Sequence, residues 1–413
     1  MMRDKQTYCF LIPVIILVAI FFLFFRIGSF PSDLDGEVAS MGNSVLFLMK
    51  ANDLGIPSTE YLREIHDLWP VPPSSYPFFI YPFSSPLAQS FMYVTYRLLG
   101  ASVFSNHLVS SIFGFLTVVL TYFFAMRMYG ERTGFLSALF LSSMLYFVVL
   151  VRYGLLYFTL TALTILVTMY LFYLAHEKRS RTILYLTGGA AGVAWFNGWV
   201  TPPTVLPILV LSILFNFNLR SLSSLWKGFA SLKRMWKERA DGSQEGNLLG
   251  VRDYLVMVVL LLITIHGLSV GYSLFFEAPP LETYHRISEL SFGRGELIAS
   301  LTKDEIGAKI CNFRLLFQNM FLGMTPYFGG GISHFNQHLE GYPMVPYFIS
   351  LSLLAGVIFA LKRRSLGDRI CIAYLSFPFL VFALFARLQP RYMIVAAPVI
   401  AILAARGAVG TIE

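Results

Sequence analysis

Apolar residues run along this chain in blocks of about twenty, separated by short polar stretches, and this pattern repeats almost from one end to the other. A helix needs roughly 20 apolar residues to cross a bilayer. Ten blocks meet or approach that length, near 8–25, 104–126, 133–151, 155–175, 182–200, 202–217, 254–274, 343–361, 370–386 and 392–409. The pattern predicts an all-α polytopic membrane protein of about ten transmembrane helices, folded as one domain over residues 1–413. The first block is expected to stay as a span: it is followed by Arg26-Ile27-Gly28-Ser29-Phe30-Pro31, which lacks a small-residue cleavage site.

Three polar regions are too long to be simple turns. Residues 27–103 and 275–342 form two large loops on one side, and 218–253 forms a loop on the other. The first loop holds a helix of its own over Pro86–Leu99: Ser85 can cap it, Pro86 suits its first turn, and Gly100 ends it. At 1.5 Å per residue it is about 21 Å long, short of a hydrocarbon core of about 30 Å. It reads as a surface helix with Leu87, Phe91, Val94 and Leu98 as its apolar stripe. A second helix is expected from Glu37 to Lys50, with Met41, Val45, Leu46 and Met49 on one side.

Composition agrees with a membrane protein. Of 413 residues, 56% are hydrophobic and 13% charged, and the mean hydropathy is +0.66. Cys9, Cys311 and Cys371 lie far apart, so neither a disulfide framework nor a zinc site is expected. The net charge of +8 is unevenly placed: the segments taken as cytoplasmic hold 19 of the 31 basic residues but 9 of the 23 acids. That asymmetry is the positive-inside signal, with the N-terminus in the cytoplasm. It accounts for the basic excess without nucleic acid. The 218–253 loop, with Lys227, Lys233, Arg234, Lys237, Arg239, Trp226 and Trp236, reads as a basic amphipathic segment on anionic lipid.

Candidate chemistry gathers on the outer side, because the spans carry almost no ionisable group apart from His266. Ion-coupled transporters usually bury charges at mid-membrane, so the pattern counts against one. Asp33, Asp35 and Glu37 stand where the chain enters the first-loop helix, and Gly36 relaxes the backbone between the last two. A carboxylate at a helix start is held ionised by free N–H groups, which suits a general base; ordinary helix capping is the alternative. Arg152-Tyr153-Gly154, Arg387 and Arg391-Tyr392 lie on the same side, against the orientation rule, and suit a phosphate; snorkelling to lipid headgroups is the alternative. In the second loop His285, Arg286, His334 and His338 could line a donor or acceptor site. The setting of the last pair among Gly, Ser, Asn and Gln suggests a loop rather than a metal-binding helix.

Taken in order, these parts resemble the membrane-embedded GT-C glycosyltransferases, in particular the protein O-mannosyltransferase and lipid A aminoarabinose transferase branch. The resemblance rests on one span, Asp-Gly-Glu-Val-Ala at 35–39, Ser85-Pro86-Leu87 to Leu98-Leu99-Gly100, Arg127-Met128-Tyr129-Gly130-Glu131-Arg132, Val151-Arg152-Tyr153-Gly154, and Arg387-Leu388-Gln389-Pro390-Arg391-Tyr392. It implies a polyprenyl-phosphate sugar as donor, a lipid, glycan or protein acceptor, membrane lipids as surroundings, and a site on the outer face of the plasma membrane. It implies Asp35 as base, with Glu37 second because Gly36 parts a pair that relatives keep adjacent. Arg391, Arg387, Arg152 and Tyr392 would bind the donor phosphate. Where relatives carry basic residues before the surface helix and at the second span, this chain has Ser85 and His107. No cofactor follows from that reading. An oligosaccharyltransferase-like alternative would place a divalent cation at Asp33 and Asp35, and a non-enzymatic lipid transporter or scramblase is the alternative of another class.

Overall fold

The computed structural model describes residues 3–28, 36–55, 85–197, 204–205, 208–210, 249, 251–276, 345–384 and 390–412. Within them the chain is helical, with no strand: α1 (Arg3–Phe24), α2 (Gly36–Leu54), α3 (Pro86–Leu99), α4 (Val103–Tyr129), α5 (Glu131–Ser143), α6 (Leu145–Arg152), α7 (Leu156–Glu177), α8 (Arg181–Phe196), α9 (Val251–Phe276), α10 (Tyr347–Arg363), α11 (Leu366–Leu384), a 3-10 helix (Pro390–Ala396) and α12 (Ala397–Ile412).

Four stretches are long and apolar enough to cross a membrane by themselves: Val103–Tyr129, Leu156–Glu177, Arg252–Gly271 and Met393–Thr411. The pair α5–α6 makes a fifth if counted as one broken span. The ten spans expected from the hydropathy pattern are therefore not reached among the described residues. For two of them length is the reason: α8 has 16 residues and α10 has 17. Of the 202–217 block, only five positions are described.

The block at 133–151 is not one straight helix. It bends by 57° between α5 and α6, where Met144 is extended (φ −69°, ψ 106°). Just before the break, the Ser142 and Ser143 hydroxyls donate to the Leu139 carbonyl at 3.1 and 2.7 Å, a competition with the backbone ladder that loosens helices. Gly114 of α4 lets the far side of the bend come close, since a Cβ there would lie 2.6 Å from Val151 Cγ1.

Hydrogen bonds between helices fix their direction. Ser110 of α4 meets Thr159 of α7 at 3.0 Å, and Arg127 and Glu177, at the other ends of the same helices, pair at 2.9 Å. The two helices run parallel. Arg181 and Tyr185 of α8 meet Asp253 of α9, while Asn197, just past α8, reaches Thr161 of α7. The bundle thus has a basic end, with Arg127, Arg181, Arg252, Lys362, Arg363 and Arg406, and an opposite end where α1 stops and α4 and α7 begin. In the core, α12 is almost wholly buried, and Gly356 of α10 and Gly407 of α12 let these two backbones touch. By contrast α9 exposes Leu255, Val259, Leu262 and Ile263, as a lipid-facing helix would.

The first-loop helices have the expected positions with one change of face. On α2 the buried residues are Gly42, Val45, Leu48 and Ala51, whereas Leu46 is exposed and does not belong to the packed side. The packed stripe follows α3, which crosses it. The basic loop at 218–253 lies almost entirely outside the described residues.

Candidate active site at the end opposite the basic residues

The surface helix α3 is set by local chemistry. Ser85 is extended (φ −81°, ψ 126°), and its Oγ accepts from the Ala88 N–H at 3.1 Å, an ordinary N-cap. Gly100 closes the helix at φ 77°, a conformation that favours glycine. Met92, Tyr93 and Tyr96 are buried against the bundle, while Phe91, Val94 and Leu98 of the expected stripe face outward, Leu98 at 77% exposure. Such a helix packs on protein with one face and offers the other to lipid.

The ends of this layer are tied down by polar side chains. Ser85 Oγ also donates to Asn197 Oδ1 at 2.6 Å, and Asn197 Nδ2 donates to the Tyr157 carbonyl and Thr161 Oγ1. One buried asparagine thus joins α3, α7 and α8. The Tyr96 hydroxyl donates to Asn106 Oδ1 at 2.8 Å; burial pushes that phenol up, so it stays a neutral donor. On the other side, α3 holds α2. Arg97 bonds Asp53 at 2.5 Å, and Asn52 donates to the Tyr93 hydroxyl at 2.6 Å. The hydrogen bonds from Arg97 to Asp53 and Tyr93 raise the guanidinium's affinity for its proton further. Gly42 of α2 meets Tyr96, where a Cβ would lie 2.7 Å from the hydroxyl. The helix that starts at Gly36 is therefore anchored through its middle and C-terminal half.

A second knot lies where α1 ends. Arg152 Nη2 donates to the Phe25 carbonyl at 2.7 Å and Nη1 to the Phe22 carbonyl at 3.4 Å. A cation on the last carbonyls of a helix complements its dipole. His107 Nδ1 donates to the Ile27 carbonyl at 3.1 Å, and Ser111 Oγ to the Leu23 carbonyl at 3.0 Å. His107 Nε2 is buried and has no hydrogen-bond partner among the described residues. Gly154 has φ 75°, and a Cβ on it would sit 3.0 Å from the His107 ring, so the turn after Arg152 requires glycine twice over.

The sequence candidates distribute unevenly over this frame. Glu37 falls in the first turn of α2. Arg391 and Tyr392 fall in the 3-10 helix, whose continuation Met393–Ala396 is fully buried and which packs against α6, α7, α11 and α12. Arg152 ends α6, so its helix and the segment bearing Arg391 are neighbours. Asp33, Asp35, Arg387, His285, Arg286, His334 and His338 lie outside the described residues. Among the described residues, no group of three His, Cys, Asp or Glu is placed to hold a metal. Asn197, which joins three helices, and Asn106, which ties α3 to α4, were not candidates from sequence. Their signal was a polar amide inside or beside an apolar block. Ser85→Ala removes the cap and leaves Asn197 Oδ1 without its donor; a loss of about 2 kcal/mol is expected, read as a lowered unfolding midpoint.

Comparisons with known proteins agree with this frame. The sequence model of the dolichyl-phosphate-mannose-protein mannosyltransferase family matches residues 83–232, from the surface helix into the 218–253 loop. No curated protein matches in sequence. Among solved structures, ArnT from Cupriavidus metallidurans is similar in its apo state (14% identity, TM-score 0.56) and bound to undecaprenyl phosphate (15%, TM-score 0.55); each match covers 98% of this chain and 60% of that one. AglB from Archaeoglobus fulgidus, an archaeal oligosaccharyltransferase in complex with an inhibitory peptide and a dolichol-phosphate, is similar at 13% identity and TM-score 0.53, over 98% of this chain and 50% of that one. The chain thus spans half to three-fifths of the length of these proteins. In fold over nearly its whole length, and in sequence over residues 83–232, it resembles the GT-C membrane glycosyltransferases, the class of ArnT and AglB.

Proposed function

We propose that this protein is a glycosyltransferase that moves a sugar from a polyprenyl-phosphate donor to an acceptor hydroxyl, at the outer face of the plasma membrane, with inversion. The observation that carries the reading is the attachment of α2. The helix that begins immediately after Asp35 is bound through Asn52, Asp53 and Gly42 to a surface helix at the end of the bundle away from the basic residues. The positive-inside rule turns that basic end, with the N-terminus, to the cytoplasm.

In this reading the donor enters sideways from the bilayer, past the exposed apolar face of α3. Its phosphate is held by Arg391 and Arg387, with Tyr392 beside them. Arg152 adds positive charge nearby, although both its terminal nitrogens already serve α1. Asp35 takes the proton of the acceptor hydroxyl as that oxygen bonds to the anomeric carbon. The bond from that carbon to the phosphate oxygen breaks, and polyprenyl phosphate leaves. The arginines act most strongly as charge builds on the leaving phosphate. Glu37 is the second candidate for the base. His285, Arg286, His334 and His338 belong to the loop that would shape the donor or acceptor site.

The test is transfer by the full chain in liposomes containing polyprenyl-phosphate sugars and a mixture of acceptors. Release of free polyprenyl phosphate in step with sugar transfer is the expected result. Movement of the intact lipid between leaflets without release would support a scramblase instead. A second reading is oligosaccharyltransferase-like transfer, with a divalent cation at Asp33 and Asp35. Thorough chelation is expected to leave the rate within about twofold under the base mechanism, because an inverting displacement of this kind needs only a proton acceptor and charge stabilisation. Loss of activity on chelation, restored by a divalent cation, would favour the second reading.

A further inference from the structure

At the basic end, α4, α5, α10 and α12 border an open surface cavity of about 430 Å³. That volume falls within the range of small-ligand sites, about 300–1,000 Å³. Its polar wall is made by Lys362, Arg363, Arg406, Tyr129 and Thr133, and its apolar wall by Phe359 and Val409.

The three cations are not equivalent. Arg406 is buried, paired with Asp368, and lies 4.6 Å from the centre of the Tyr129 ring. The Tyr129 hydroxyl donates to Asp368 as well, at 2.9 Å. Arg406 is therefore fixed and its charge balanced. Lys362 and Arg363 are exposed and form no ion pair or hydrogen bond among the described residues. Two unbalanced positive charges thus stand on a rigid, partly aromatic floor.

What lies above them on α10 narrows the ligand. Leu351, Leu354, Ile358 and Leu361 form an exposed apolar stripe that ends at Lys362. An apolar stripe bordered at its end by Lys362, with Arg363 on the cavity side of the same turn, matches a molecule with hydrocarbon at one end and a phosphate at the other. We propose that this cavity binds an anionic membrane phospholipid, its phosphate on Lys362 and Arg363 and its acyl chains along the outer face of α10. Soluble phosphate would share the cations but gain nothing from the stripe.

The test uses the purified full chain in mixed micelles of phosphatidylglycerol and phosphatidylcholine, with retained lipids counted by native mass spectrometry. Wild type is expected to retain phosphatidylglycerol preferentially, and the preference should fall about fivefold for each basic residue removed, the equivalent of about 1 kcal/mol. Lys362→Gln with Arg363→Gln should abolish it. Val409→Trp, which fills the apolar wall and keeps every charge, should weaken it too. Lys178→Gln with Arg179→Gln, at the same end but outside the cavity, should leave it intact. No preference in wild type, or an unchanged preference in both cavity variants, would overturn the proposal. So would displacement of the lipid by millimolar inorganic phosphate, which would mark a soluble-anion site.

Discussion

Replacing Asp35 by Asn is expected to lower sugar transfer by about 10²–10⁴-fold while leaving the unfolding midpoint unchanged. The size follows from the loss of a positioned general base. The unchanged stability follows from two facts. Asn caps a helix about as well as Asp, so α2 keeps its start. The anchors of α2 that the structure shows, Gly42, Met49, Asn52 and Asp53, are elsewhere. The substitution therefore separates the two roles open to this carboxylate: a capping residue would give an Asn variant with near-normal transfer. Glu37→Gln, assayed beside it, decides between the two acids, because only the base should show the full loss.

Replacing Arg391 by Gln is expected to lower kcat by about 10²–10³-fold, with a smaller change in KM. A cation on the leaving phosphate matters most once the bond to the sugar is breaking, and removal of one such group costs that much in other preorganised sites. The fold should tolerate the change, since the 3-10 helix is rooted by Met393, Ile394, Val395 and Ala396, all fully buried. A raised KM with unchanged kcat would assign Arg391 to uniform binding of the donor and contradict a transition-state role. Steady-state kinetics with varied donor concentration make the distinction.

Parts of this architecture are legible in the sequence and parts are not, for physical reasons. The bounds of α3 could be read residue by residue because caps are local: Ser85, Pro86 and Gly100 act within one turn of their own positions. The bend between α5 and α6 could not, since it depends on two serines turning back on Leu139 and on how closely α4 allows α6 to pack at Gly114. Arg152 shows the same limit. Its type and sequence context suggested an anion, but it donates to carbonyls at the end of α1, some 130 residues away in sequence. Only the three-dimensional end of α1 reveals that. Asn197 likewise looks like a helix end until Ser85, 112 residues earlier, is found donating to it. What the sequence carries well is local, such as the bounds of α3; what it carries poorly is which side-chain donors are already in use.

The most direct measurement of the central claim is the lipid extract of cells lacking this protein, searched for polyprenyl-phosphate sugars. Accumulation of one such lipid, reversed by the wild-type chain and not by the Asp35→Asn variant, is the predicted result. An unchanged lipid profile, or full reversal by the Asp35→Asn variant, would contradict it.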